Sequence, residues 1–310
     1  MYVLCVISGR AAPGEAGAGG TMPSCFFVSD LQGSEQRYRT LFDAVGREVP
    51  EALFLGGDLL PTWARPRRSL EVVHRDFVND FLAAEFSRLR GALGPAYPRV
   101  FLILGNDDSR FHEASILSAA TQGIWEYAQE RWLALGDYAV CGYGFVPPTP
   151  FLLKDWERYD VSRHVDPGCV SPEEGYRTVP VAPDMVRHAT IRQDLETLAA
   201  DRPLDRAILL FHAPPYGTSL DRAALDGRSV DHVALDVHIG SMAIERFIRR
   251  RQPLLTLHGH VHESARLTGA WSQTIGRTHC LSAAHDGPEL AIVRFDPADP
   301  AAVTRTLEYC

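Results

Sequence analysis

The chain has 310 residues, 45% of them hydrophobic, with a net charge of −8. Such a length and apolar content build one large core or two small ones and place the chain among globular, enzyme-sized proteins. The acidic balance argues against a surface that coats nucleic acid; Lys/Arg clusters occur only at 65–68 and 249–251, so only a local basic groove stays open.

The six cysteines (5, 25, 141, 169, 280 and 310) form no C-x-x-C pair, against a zinc ribbon or disulfide scaffold and in keeping with a reducing cytoplasm. No apolar run nears the roughly 20 residues that span a bilayer, so a membrane is not an expected partner. The opening MYVLCVI is too short for a secretory signal, has no preceding basic residue and runs into a Gly/Ala tract. Residues 1–21 therefore read as a disordered tail or an over-extended start, with an extra strand over 2–7 as the alternative.

From residue 22 the pattern alternates. FFVSD (26–30) and ALFLGGD (52–58) are apolar runs ending in Asp. The stretch between them places Tyr38, Leu41, Phe42 and Val45 on one helical face, which gives a βαβ unit. A helix over about 69–93 and a strand over 99–107 follow. Strands apolar on both faces belong in a central parallel sheet with ligands beyond their carboxyl ends, so Asp30, Asp58 and Asn106 are expected to converge. Residues 124–147 read as shorter strands. The inserted Pro/aromatic segment at about 145–180 is expected either to lie over the site, the stretch around Trp156 and Tyr159 then deciding the substrate, or to be packed decoration. A helix over 184–200, a strand over 206–215, a helix over 241–251 capped by Ser241, a strand over 254–264 and a final antiparallel set complete a single domain over 22–310.

Five strand-end clusters need one explanation: Asp30 with Gln32, GGD at 56–58, GNDD at 105–108, His212 in HAPP, and His260 with His262 in GHVH. Each alone is as compatible with a cap or a structural hydrogen bond as with chemistry. The ordered series is another matter. It resembles the calcineurin-like metallophosphoesterase pattern D-x-H, G-D, G-N-H-D/E, H and G-H-x-H, over 30–262. HAPPYGTSLD (212–221) and LHGHVHES (257–264) are similar to the class III phosphodiesterase and MPPED-like branch. GGDLLP does not resemble the GDxVDRG of Ser/Thr protein phosphatases.

The resemblance implies a four-layer α-β-β-α sandwich of two mixed sheets. It also implies a dinuclear site that hydrolyses a small phosphate ester, more in the manner of a phosphodiesterase, by metal-activated hydroxide. Asp58 is the implied bridging carboxylate, with Asp30 and His262 on the first metal and Asn106, His212 and His260 on the second. Two divalent ions are implied; such ligands suit Mn, with Fe, Zn or Ni possible, better than Ca.

Two positions depart from the pattern. Gln32 replaces a ligand imidazole, leaving it either to coordinate through its amide oxygen or to hold a metal-bound water, with a weaker first site in consequence. Asp107 replaces the imidazole that meets phosphate, and at its ordinary pKa it is ionised and repels phosphate. Asp107, Asp108 and His238 are the candidate catalytic residues; His232 is a further candidate acid, Arg37, Lys154 and Arg177 are candidate phosphate contacts, and His258 reads as structural. The alternatives are a non-catalytic metal- or phosphoryl-binding module on the same fold, and a metal-dependent nuclease.

Overall fold

The computed structural model describes residues 25–62 and 74–310. The tail, the possible strand at 2–7 and the first part of the helix expected over 69–93 lie outside the described residues.

The first sheet takes β1 (Cys25–Val28), β2 (Ala52–Gly56), β3 (Arg99–Ile103) and β4 (Glu126–Tyr127) in parallel, extended on the other edge by two late strands. The second sheet begins with the hairpin of β5 (Trp132–Leu135) and β6 (Tyr138–Tyr143). It continues through β7 (Ala207–Phe211), then, past a small exposed hairpin of β8 (Ser229–Val230) and β9 (Val233–Ala234), to β10 (Leu255–His258), β11 (Ser272–Ile275) and β12 (Thr278–Ser282). Its order is β11-β12-β10-β7-β6-β5. The late strands β13 (Leu290–Asp296) and β14 (Asp299–Glu308) run antiparallel and give the first sheet the order β14-β13-β1-β2-β3-β4.

Successive side chains of a strand point to opposite faces, and this alternation sorts the core into layers. Phe27, Phe54, Phe101 and Ile103 meet Val140, Ile208, Leu210, Leu255 and Leu257 between the two sheets. Their neighbours Phe26, Val28, Leu53, Leu55, Val100 and Leu102 face outward, in a cluster with Tyr38, Leu41 and Val45 of α1 (Glu35–Glu48). On the second sheet the outward Leu209 and Phe211 share that cluster with helix residues such as Ile244, Phe247 and Ile248. Two mixed sheets packed face to face, with helices outside, are the observed architecture.

The remaining helices are α2 (Ala84–Leu93), α3 (Glu113–Thr121), α4 (Pro183–His188), α5 (Ile191–Ala199), α6 (Met242–Arg251) and α7 (Ser264–Thr268). Two expected helices differ from the pattern. A wide π-turn over Val78–Ala83 leads into α2, with Phe77 and Phe81 packed on Tyr38. The helix expected over 184–200 is broken at Thr190, whose backbone is extended and whose hydroxyl caps α5 at Gln193 N (3.2 Å). Ile191 N also bonds Tyr159 O (2.8 Å), drawing the chain out of helical register. Ser241 does cap α6, accepting from Ile244 N at 3.0 Å.

The inserted segment is pinned by two carboxylates. Asp155 accepts from Arg110 N and Thr178 N (both 2.8 Å), and Asp160 accepts from Met242 N (2.7 Å) and Ser241 Oγ (2.5 Å) at the start of α6. Trp156 and Tyr159 are buried: their rings pack inside the insertion, Trp156 against Phe145. Lys154 is likewise fully buried, 2.5 Å from Glu157 Oε2, and is not a phosphate contact.

Candidate metal centre

The carboxyl ends of β1, β2, β3, β7 and β10 each deliver one motif to the same place. Asp30, Asp58 and His262 offer ligand atoms that all lie within 4.8 Å of one another. Asp30 Oδ1 sits 3.2 Å from His262 Nε2 and accepts from His260 N at 3.0 Å, while Oδ2 accepts from Ser29 Oγ. Asp58 Oδ1 is 3.3 Å from His212 Nε2 and accepts from Asp107 N at 2.9 Å. Asn106 Oδ1 stands 3.1 Å from the same His212 nitrogen, and the rings of His212 and His260 lie 5.2 Å apart. All six residues expected to ligate besides Gln32 thus share one site.

Backbone strain marks it. Asp30 (φ 59°), Gln32 (48°), Asp58 (53°) and His260 (73°) all adopt the left-handed conformation that side chains disfavour. Each such residue costs on the order of 1–3 kcal/mol and persists only where its surroundings over-determine it. Asp30 N bonds Gly57 O (3.0 Å) and Gln32 N bonds Asp58 O (2.8 Å), tying the first two motif loops together. Close approach also requires glycine. A Cβ on Gly105 would stand 2.6 Å from His212 Nε2, and one on Gly259 would stand 2.8 Å from Asp30 Oδ2.

These residues fit divalent metal. His212 Nδ1 lies 2.8 Å from the Gly56 carbonyl, which can only accept, so Nδ1 carries hydrogen and Nε2 faces the carboxylates as a ligand nitrogen should. Burial opposes charge on His212, yet Asp58 and Asp30 outweigh it and raise its pKa to about 10: the cluster calls for a cation at that spot. His260 goes the other way; burial and the neighbouring His212 lower it to about 3, leaving a neutral imidazole. Burial raises Asp30, but His262 and His212 prevail and hold it well below the ordinary carboxylate range. Burial and Asp58 push the carboxyls of Asp107 and Asp108 up to about 7.

The family model of the calcineurin-like phosphoesterases matches residues 24–264. The chain belongs to the calcineurin-like phosphoesterase family. The protein TT1561 of Thermus thermophilus is similar in structure at a TM-score of 0.52 and 16% identity, over 93% of this chain and 99% of that one. Another crystal structure matches at 0.55 with the same identity and coverage. A dimetal phosphatase from Danio rerio is similar at 0.44 and 14% identity, over 88% of this chain and 93% of that one. At such identities the likeness is one of fold. No curated protein matches the chain in sequence. Metal-dependent phosphoester chemistry at a dinuclear centre is what the family implies for these ligands.

The other candidates separate by burial. Asp108 is fully buried and accepts from Leu60 N (2.7 Å), Gly105 N (2.9 Å) and Leu59 N (3.1 Å), so it joins the second and third motif loops and cannot touch substrate. Arg37 donates to Asp30 O (2.8 Å) and Gly287 O (2.6 Å), a buttress where a phosphate contact was expected. His258 is buried between Ala213 O (2.9 Å) and Thr256 Oγ1 (2.8 Å), and burial lowers its pKa to about 4. His232 is exposed in the β8–β9 hairpin. Arg177 is half-buried and donates to Pro172 O at 2.8 Å. His238 Nδ1 is 2.8 Å from Oδ1 of buried Asp221, which also accepts from Gly217, Thr218 and Gly240 N. Asp221 went unnoticed in the sequence, although it closes the HAPPYGTSLD stretch.

Proposed function

We propose that the chain is a phosphodiesterase that hydrolyses a small phosphate ester at two divalent ions. The single observation that carries this reading is the convergence of Asp30, Asp58 and His262 within 4.8 Å beside a His212 whose tautomer is fixed by Gly56 O. Asp58 stands beside both groups of ligands and would be shared between them; Asp30 and His262 would hold the first ion, and Asn106, His212 and His260 the second. Bound ions supply Lewis-acid activation of water and neutralise charge developing at phosphorus. Manganese is the working metal for this mixed imidazole and oxygen set.

The chain's own residues favour a diester. Asp107 is partly exposed beside the ligands, and above the value of about 7 to which burial and Asp58 raise it, its carboxylate repels a monoester, with nearly two negative charges, more than a diester with one. His238, whose ring is held by Asp221 at Nδ1, is the proton donor we propose for the leaving group. Free thiols at Cys141, Cys169, Cys280 and Cys310 support a reducing compartment such as the cytoplasm. Nitrophenol release from bis- and mono-nitrophenyl phosphate with added Mn2+ tests the reading. Diester cleavage abolished by chelator and by Asp58→Ala supports it; metal uptake with no cleavage of either ester identifies a binding module instead.

A further inference from the structure

We propose that Gln32 and Asp107 act as a pair that makes the first metal position an oxygen-donor site, biased toward a hard ion such as Mg2+ or Mn2+ and away from Zn2+. This rests on the dinuclear reading above and extends it to which ion each position prefers.

The two departures from the family pattern, 75 residues apart in sequence, touch. Gln32 Nε2 is 3.4 Å from Asp107 Oδ2 and 3.5 Å from His262 Nε2, so the amide lies against the nitrogen assigned to the first ion. Gln32 Oε1 is enclosed and has no hydrogen-bond partner. A buried acceptor left unpaired is costly, and such groups in native proteins are usually explained by a water or an ion. The segment that carries the amide is held in place. Its backbone is fixed in the left-handed region, with Gln32 N on Asp58 O (2.8 Å) and Gly33 N on Leu59 O (2.9 Å).

The donor chemistry then differs between the two positions. Around the first stand the carboxylates of Asp30 and Asp58 and the Gln32 amide, with Asp107 behind that amide, against the single imidazole of His262. Around the second stand two imidazoles, His212 and His260, with Asn106 and Asp58. Hard cations take oxygen ligands, whereas imidazole suits Zn and its neighbours. Asp107 acts on the ion through Gln32: it holds the amide in the site, and its charge adds to the field that a small dication meets. It is a positioning residue here.

The experiment is metal titration of the full chain by calorimetry and by the electron paramagnetic resonance of Mn2+, with Zn2+ in competition. Gln32→His is expected to raise the Zn2+-to-Mn2+ affinity ratio at one of two positions about tenfold or more. Gln32→Glu, which retains oxygen ligation, should leave that ratio low and strengthen Mn2+ binding. Asp107→Asn is expected to weaken Mn2+ at that same position about tenfold, within the 10–100-fold range typical of groups that orient ligands. Two ions bound by all variants with an unchanged ratio would overturn this inference alone. Failure of the wild-type chain to bind any ion overturns both it and the dinuclear reading.

Discussion

Asp108 offers the most direct handle on how the loops are held. Its carboxylate accepts three backbone N–H bonds, from Leu60 (2.7 Å) on Oδ1 and from Gly105 (2.9 Å) and Leu59 (3.1 Å) on Oδ2. In Asp108→Asn one oxygen becomes an NH2 group. The amide keeps the most bonds by turning that group toward Leu60, leaving one buried N–H facing another donor at about 1–3 kcal/mol. The assay is urea unfolding with chelator present at pH 5.5, below the value of about 7 to which burial and Asp58 raise this carboxyl, so the parent side chain is neutral too and neither charge assistance nor charge repulsion differs between the two chains. The net loss is therefore about 1–3 kcal/mol out of a typical 5–15. Because the tethered segments carry Asp58 and Asn106, metal affinity should fall about tenfold in parallel. An unchanged or higher urea midpoint would refute the claim that Asp108 ties the loops together.

Other outcomes follow from the same geometry. Glu157 is buried with Lys154, and burial outweighs that lysine to push its carboxyl from 4.5 up to about 7. A raised folded-state value gives stability that is full at low pH and lost as pH climbs, so relative to Glu157→Gln the wild type should lose up to about 3 kcal/mol between pH 4.5 and pH 7.5, read from urea midpoints. In Gly105→Ala a methyl 2.6 Å from His212 Nε2 intrudes on the ligands, and calorimetry should find metal affinity reduced about 100-fold or more in a chain whose circular dichroism is retained. Asp107→Asn, assayed at saturating metal and at pH 8.5, above the value of about 7 to which burial and Asp58 raise this carboxyl, should raise monoester turnover relative to diester turnover about fivefold. That factor corresponds to about 1 kcal/mol, the interaction of two unit charges some 4 Å apart in water.

Much of this site was legible before the structure, and for a physical reason. Buried parallel strands leave continuous apolar runs, and the polar residues that end them must gather at one edge of the sheets, so Asp30, Asp58 and Asn106 could be grouped from FFVSD, ALFLGGD and FLILGND alone, while His212, His260 and His262 joined them through the resemblance of the ordered motifs to a known family. What stayed hidden depends on contacts between distant residues. Nothing in the local pattern shows that Lys154 finds Glu157 and turns inward, that Arg37 reaches Gly287 O, or that Trp156 fills a core and not a cleft. Thr190 looked like one more helical residue because its break is imposed by a bond from Ile191 N to Tyr159 O, 32 residues upstream of it. The Gln32–Asp107 contact belongs to the same class: two odd residues in two motifs become one feature once the loops meet.

The most direct test of the central claim is the metal content of the folded chain after incubation with excess Mn2+ and gel filtration, measured by elemental analysis for the wild type and for Asp58→Ala. A dinuclear centre bridged by Asp58 predicts about two ions per wild-type chain, a clear loss of bound ion in the variant, and diester hydrolysis that follows the metal. A folded wild-type chain that retains no ion, or an Asp58→Ala chain that retains both, would contradict it.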